Sequence, residues 1–274
     1  MPLREVDIVV ISDVHLGTYG CKAKELLSYL NSIKPKKIIL NGDFIDLWQF
    51  SKWYFPKTHI NIIKCILRFL SDDIPVYYIT GNHDDMLRTF ADFRIGNFHL
   101  INKLIVELDG NQVWFFHGDF LENVSRNSKW LAKLGTICYH TLLISNWFSN
   151  WILAKFTNHR LSFSKRIKAS VKGAVKSMNQ FEQKIAKIAS EKGYSLVICG
   201  HSHLAEIKQI TTSEGNITYL NSGDWVESLT ALEYYDNNWY IYKYNSDDCV
   251  ETFEDKVIVP KKMDSENEYH EKFT

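Results

Sequence analysis

The chain has 274 residues, enough for one large domain or two small ones, and its 45% apolar content can fill a sizeable core. Lys plus Arg and Asp plus Glu are equal at 32 each, so no net charge draws the molecule toward nucleic acid and any recognition of an anion has to be local. The five cysteines show no CxxC spacing, which argues against a disulfide framework and fits the reduced thiols of a cytoplasmic protein.

Met1 leads straight into a strand-like run, and the absence of a basic segment, an apolar stretch and a small-residue cleavage site predicts no secretory signal. Val6 to Ile11 and Lys37 to Leu40 are apolar runs separated by a helix-like segment with Leu26, Leu27 and Leu30, which predicts a β-α-β start. Further strand-like runs occupy Val76 to Thr80, Val113 to Phe116, Leu196 to Cys199, Thr218 to Leu220 and Trp239 to Tyr244. Several are separated by helical stretches, so a layered α/β fold is expected. Asp84 and Asp85 read as caps of a helix that begins near Met86.

Residues 121–192 break this rhythm with helical patterns and read as an insertion. The longest apolar stretch, Leu142 to Phe156, is interrupted by Ser145, Asn146, Ser149 and Asn150. It is shorter than the about 20 residues that a membrane span needs. Its Trp147, Phe148, Trp151, Ile152, Leu153 and Phe156 suit either core packing or an apolar cleft. Ile167, Val171, Val175, Met178, Ile185 and Ile188 then mark one face of an amphipathic helix, with Lys165, Lys168, Lys172 and Lys176 in an adjacent stripe. That stripe is either a solvated face or a platform for an anionic substrate or lipid headgroup. The division expected is a domain over residues 1–245 that includes the 121–192 insertion, followed by a polar tail over 246–274.

Chemistry concentrates at the strand exits, where SDVH, NGDFID, TGNHDD, HGDF, GHSH and NSGDW each begin as an apolar run ends. Ligands of open α/β sheets bind beyond the carboxyl ends of the strands, so these exits predict one site assembled from distant segments. Asp13 and His15 are two apart, and extended backbone would turn both to the same side; His201 and His203 repeat the spacing. Asp43, Asn82 and His117 add a carboxylate, an amide and an imidazole, an oxygen and nitrogen donor set without thiolate that suits manganese, iron or zinc. Gly42, Gly81, Gly118 and Gly200 lie at the same turns, where a missing Cβ permits close approach.

D-x-H, GD-x-x-D, GNHD, HGD and GH-x-H in this order, over roughly residues 6 to 225, resemble the calcineurin-like metallophosphoesterase superfamily. The resemblance implies a layered β-sandwich flanked by helices, with the helical insertion acting as a cap. It also implies two divalent ions, manganese foremost. Asp13, His15, Asp43 and His203 would hold one, and Asp43, Asn82, His117 and His201 the other, for attack of a metal-activated hydroxide on phosphorus. His83 would stabilise or protonate the leaving oxygen, with Asp46 orienting its ring.

GDFIDLW, GNHDDMLR, FFHGD, NSGDWVE and the insertion ahead of GHSH are most similar to the UDP-2,3-diacylglucosamine pyrophosphatase branch, enzymes of lipid A synthesis. That similarity implies cleavage of a glycolipid pyrophosphate to UMP and a lipid monophosphate. Arg88 and the four lysines would contact substrate, and the protein would touch the cytoplasmic membrane face peripherally, with no nucleic acid partner. His83 and Asp46 stand where members of that branch carry Arg and Glu, and follow the general superfamily pattern instead. Two alternatives therefore stay open: a cytoplasmic phosphodiesterase or phosphatase for nucleotides or small esters, and a non-catalytic binding scaffold.

Overall fold

Strand β1 (Arg4–Ile11) sends Val9 and Ile11 into one core and Ile8 and Val10 into another, and all four are buried. β2 (Ile33–Asn41) splits Ile38 and Leu40 from Ile39, and β3 (Val76–Ile79) splits Tyr78 from Tyr77 and Ile79. A strand covered on both faces has no polar side, which is why these segments are unbroken apolar runs in the sequence. The computed structural model describes residues 3–49, 54–120, 164–245 and 252–258, except for the side chains of 164–177 and 252–258.

The first core is closed by helices. In α1 (Ala23–Leu30), Ala23, Leu26, Tyr29 and Leu30 are buried; in α2 (Lys57–Ser71), which begins after Pro56, Ile62, Cys65, Ile66 and Phe69 are buried at spacings of three and four. The second core lies between two sheets. β4 (Phe93–Ile95) and β5 (Phe98–Ile101) extend the first sheet, and β6 (Leu104–Leu108) and β7 (Asn111–Phe115) belong to the second. After α3 (Ser164–Glu191) come β8 (Leu196–Cys199), β9 (Glu206–Thr212), β10 (Gly215–Asn221), β11 (Thr230–Tyr235), β12 (Asn238–Lys243) and β13 (Thr252–Ile258). The sheet orders are β13-β12-β11-β1-β2-β3-β5-β4 and β6-β7-β8-β10-β9. β1, β2, β3 and β5 run parallel, as do β7, β8 and β10.

The chain forms two compact units, one of Met1–Gly118 with Glu182–Thr274 and one of Asp119–Phe181. The expected cap and its Trp147 to Phe156 cluster lie outside the described residues, as do the side chains of Lys165, Lys168, Lys172 and Lys176 on α3. In the first unit, α3 buries Glu182, Ile185, Ala186 and Ala189, and Glu182 pairs with Lys208 of β9. β13 pairs antiparallel with β12, so part of the segment read as a polar tail adds a strand. Among the described residues, no helix is long and apolar enough to cross a membrane.

β11 escapes the sequence reading because Glu233 interrupts its apolar run. Glu233 is fully buried and accepts from Arg4 Nη1 and Nη2 at 2.8 and 3.0 Å and from Tyr29 Oη at 2.8 Å. Tyr29 in turn stacks on Tyr242 and Trp225, with centroids 4.4 and 5.3 Å apart. Removing one partner of such a pair strands the other charge. Arg4→Ala is therefore expected to lower unfolding free energy by about 3 kcal/mol in urea denaturation. A loss within the scatter of ordinary surface substitutions would mean that Tyr29 alone satisfies Glu233.

Candidate metal centre

Asp13 and His15 do not project from extended backbone, as their spacing predicts. β1 ends at Ile11, and both residues lie beyond it in the left-handed region, each at φ 53°. Asp43 (φ 52°), His201 (φ 66°) and His203 (φ 59°) share that conformation. Left-handed geometry costs a non-glycine residue about 1–2 kcal/mol, and such strain persists where surrounding contacts over-determine it. Here the turns brace each other: Asp13 N–H donates to Gly42 O at 3.1 Å, and His15 N–H to Asp43 O at 2.9 Å. The His201 N–H donates to Asp13 Oδ2 at 3.0 Å.

The strand ends of both sheets thereby bring the predicted residues together. Donor atoms of Asp13, His15 and His203 lie within 4.8 Å of one another, as do those of Asp43, His117 and His201, and those of His15, Asp43 and His83. His203 Nε2 is 3.3 Å from Asp13 Oδ1; His117 Nε2 is 3.1 Å from Asp43 Oδ2 and 3.3 Å from Asn82 Oδ1. Asp43 thus belongs to more than one group. Two atoms test whether this donor set fits cations: His15 Nε2 is buried without a hydrogen bond, and Asp13 Oδ1 has the 3.3 Å approach of His203 Nε2 but no hydrogen bond. A polar atom left so in a protein interior is costly, and a cation drawn to an imidazole nitrogen and a carboxylate oxygen would satisfy both. The oxygen and nitrogen donors fit a divalent ion of borderline hardness.

A second layer sets which atom each imidazole offers. His117 Nδ1 donates to Asn41 O at 2.9 Å, because a carbonyl can only accept, and this leaves Nε2 for the cluster. Asp46 Oδ2 stands 3.1 Å from His15 Nδ1 and 2.8 Å from His83 Nδ1, so this carboxylate serves both rings rather than His83 alone. Asp224, which the motif reading left without a role, stands 3.3 Å from His203 Nδ1. Its Oδ1 also accepts from the N–H groups of Val226, Glu227 and Ser228. Burial opposes the Asp224 charge, yet His203 and these donors bring its pKa down to about 2. Burial likewise pulls His203 down, but Asp13 and Asp224 outweigh it and raise its pKa to about 9, so a bound cation would displace a proton there. For Asp43, burial is again opposed, chiefly by His117, and the carboxyl lies far below its ordinary value. His83 is lowered by burial and raised more by Asp46 and Asp43.

Asp84 does not cap the short 3₁₀ helix Asp85–Phe90 with its side chain. It is buried, and its carboxylate instead accepts from Gly81 N–H (2.5 Å), Tyr78 Oη (2.6 Å) and Phe44 N–H (3.1 Å), tying the exits of β2 and β3 together. Two glycines make the packing feasible. A Cβ on Gly42, itself at φ 86°, would fall on the His117 ring, and one on Gly81 would fall on the Asp43 carboxylate. Arg88 rests on Thr80, with Nε 3.3 Å from its Oγ1 and Nη2 3.4 Å from its carbonyl, at the exit of β3.

Fold and site together define a two-sheet α/β protein with a buried carboxylate and imidazole centre suited to divalent cations. The calcineurin-like phosphoesterase family matches residues 6–205, and the chain belongs to it. It is similar along its length to curated proteins named UDP-2,3-diacylglucosamine hydrolase. That of Aliivibrio fischeri is 21% identical over 86% of this chain and 98% of its own. Those of Blochmanniella pennsylvanica and Pseudomonas putida are 25% and 26% identical, over 85% and 82% of this chain and 94% of each of theirs. The protein is a metal-dependent phosphoesterase.

Second-layer carboxylates typically change metal affinity about 10–100-fold. Asp224→Asn should weaken Mn²⁺ binding by about that factor in calorimetric titration while the protein stays folded. Unchanged affinity would confine Asp224 to holding its own turn.

Proposed function

We propose that the protein cleaves the pyrophosphate of UDP-2,3-diacylglucosamine or a closely related glycolipid, releasing UMP and a lipid monophosphate. The observation that carries this reading is the match to the hydrolases named above across 82–86% of this chain, not merely across the metal motifs. In this reading Asp13, His15, Asp43 and His203 hold one divalent ion and Asp43, Asn82, His117 and His201 a second, manganese being the first choice. When bound, the pair supplies Lewis acidity toward the phosphoryl oxygens and acidifies a water nucleophile.

The remaining steps fall to the chain. By setting where the ions would sit, Asp43, Asp13 and the imidazoles would set how the phosphoryl group is presented for in-line attack. His83 keeps Nδ1 against Asp46 at 2.8 Å, which leaves Nε2 to donate a proton to the departing oxygen. Arg88 and the α3 lysines are assigned to the diphosphate and its surroundings, where guanidinium and ammonium groups form charge-assisted hydrogen bonds. Acyl chains would occupy the 121–192 insertion, with the protein working at the cytoplasmic membrane face.

A second reading, hydrolysis of nucleotides or small phosphate esters, is favoured by the His83 and Asp46 pair itself, since it follows the general superfamily pattern. One experiment separates the two. Mn²⁺-loaded protein is given UDP-2,3-diacylglucosamine beside bis(4-nitrophenyl) phosphate, and UMP and nitrophenol release are normalised to metal content. A preference for the lipid of more than about tenfold in kcat/KM, about 1.4 kcal/mol, is expected. Hydrolysis of the small diester alone would move the protein to the second reading.

A further inference from the structure

His83 is held at one nitrogen by Asp46, yet a single contact at Nδ1 does not fix an imidazole. The ring can still swing about its bonds to the backbone and carry Nε2 away from the leaving oxygen. Two aromatic rings stand against it. The His15 ring meets it edge-on, with centroids 4.6 Å apart and planes at 90°. From another side the Trp48 indole lies over it at 4.5 Å and 34°. His15 is already assigned to an ion; Trp48 has no role in the chemistry above.

Trp48 is itself fastened to the groups that flank His83. Its backbone N–H donates to Asp46 Oδ1 at 3.0 Å, the carboxylate whose other oxygen faces His83. Its indole Nε1–H donates to Asp85 Oδ1 at 3.3 Å, two residues beyond His83 on the same turn. The preceding Leu47 N–H donates to His83 O at 2.9 Å. Trp48 is thus fastened to Asp46 through its backbone and to Asp85 through its indole, with the indole against the imidazole. Such a bracket restricts ring rotation.

We propose that Trp48, anchored by Asp85, is the positioning residue that fixes the His83 ring so that Nε2 meets the leaving oxygen. This rests on the role given to His83 under the proposed function, but not on which ester is cleaved. Misplacement of a reacting group by about 1 Å can cost about 10²-fold in rate. A residue that acts in the transition state through His83 should therefore change kcat and leave KM nearly alone.

The test is a double-mutant cycle on the Mn²⁺-loaded protein, run on whichever of the two substrates above it turns over, with metal content measured for each variant. Trp48→Ala is expected to lower kcat about 10–100-fold with KM within about twofold. Trp48→Phe keeps an aromatic wall and should recover most of the rate. Asp85→Ala, which frees the indole without removing it, should give an intermediate loss and guards against a misfolded Trp48→Ala. In a His83→Ala background, Trp48→Ala should add less than about twofold, because what it positions is gone. Multiplicative losses in the double variant, or a wild-type kcat for Trp48→Ala, would overturn the inference while leaving His83 in place. A wild-type kcat for His83→Ala would overturn the role of His83 and the bracket with it.

Discussion

Asp43 is almost completely buried, and its two oxygens serve different neighbours: Oδ1 accepts the His83 N–H at 2.7 Å, and Oδ2 stands 3.1 Å from His117 Nε2. A carboxylate held this deep needs compensating positive charge, and one backbone donor supplies only part of it. Around it the fold gathers four further buried carboxylates, Asp13, Asp46, Asp84 and Asp224, with five imidazoles. The imidazoles can neutralise that charge only by taking up protons, whereas divalent cations neutralise it and use the imidazole nitrogens as ligands. The demand for cations is therefore built into the packing of the site.

Meeting that demand shapes the local chain. The parallel strands β1, β2 and β3 and the parallel strands β7, β8 and β10 send their carboxyl ends to the same centre, and five of the candidate ligands turn out of line in left-handed backbone. Each such turn opposes stability, and the network of carboxylates behind it offsets that strain: Asp84 joins two exits, Asp46 joins His15 to His83, and Asp224 locks a third turn onto His203. The same groups that position the imidazoles thus stabilise the turns. Stability and chemistry share one set of hydrogen bonds here, so substitutions behind the site will disturb both together.

Much of this was legible in the residues. β1, β2, β3, β7, β8, β10 and β12 stand out because burial on one or both faces leaves long apolar runs, and the strand exits announce the donors by type and order. β11 was not legible, because Glu233 breaks its run and is tolerated only through Arg4 and Tyr29, more than two hundred positions away. The conformation of Asp13 and His15 was misread for a related reason: a D-x-H spacing specifies which residues converge, while the turn that converges them depends on the neighbouring Gly42 and Asp43 carbonyls. The second layer was legible only in fragments. Asp224 lies in an NSGD exit of the same kind as the others, yet its partner is a histidine rather than an ion; Trp48 closes the GDFIDLW run, but nothing in that run says its indole meets His83, which takes the approach of two loops.

The proposed site has two cations sharing the Asp43 carboxylate. Low-temperature electron paramagnetic resonance of protein loaded with Mn²⁺ to saturation addresses it directly, because ions bridged by one carboxylate are close enough for their spins to couple. An exchange-coupled spectrum that gives way in Asp43→Asn to the signal of isolated or unbound Mn²⁺ is the predicted result. A spectrum of isolated Mn²⁺ in the unaltered protein at full loading would contradict it.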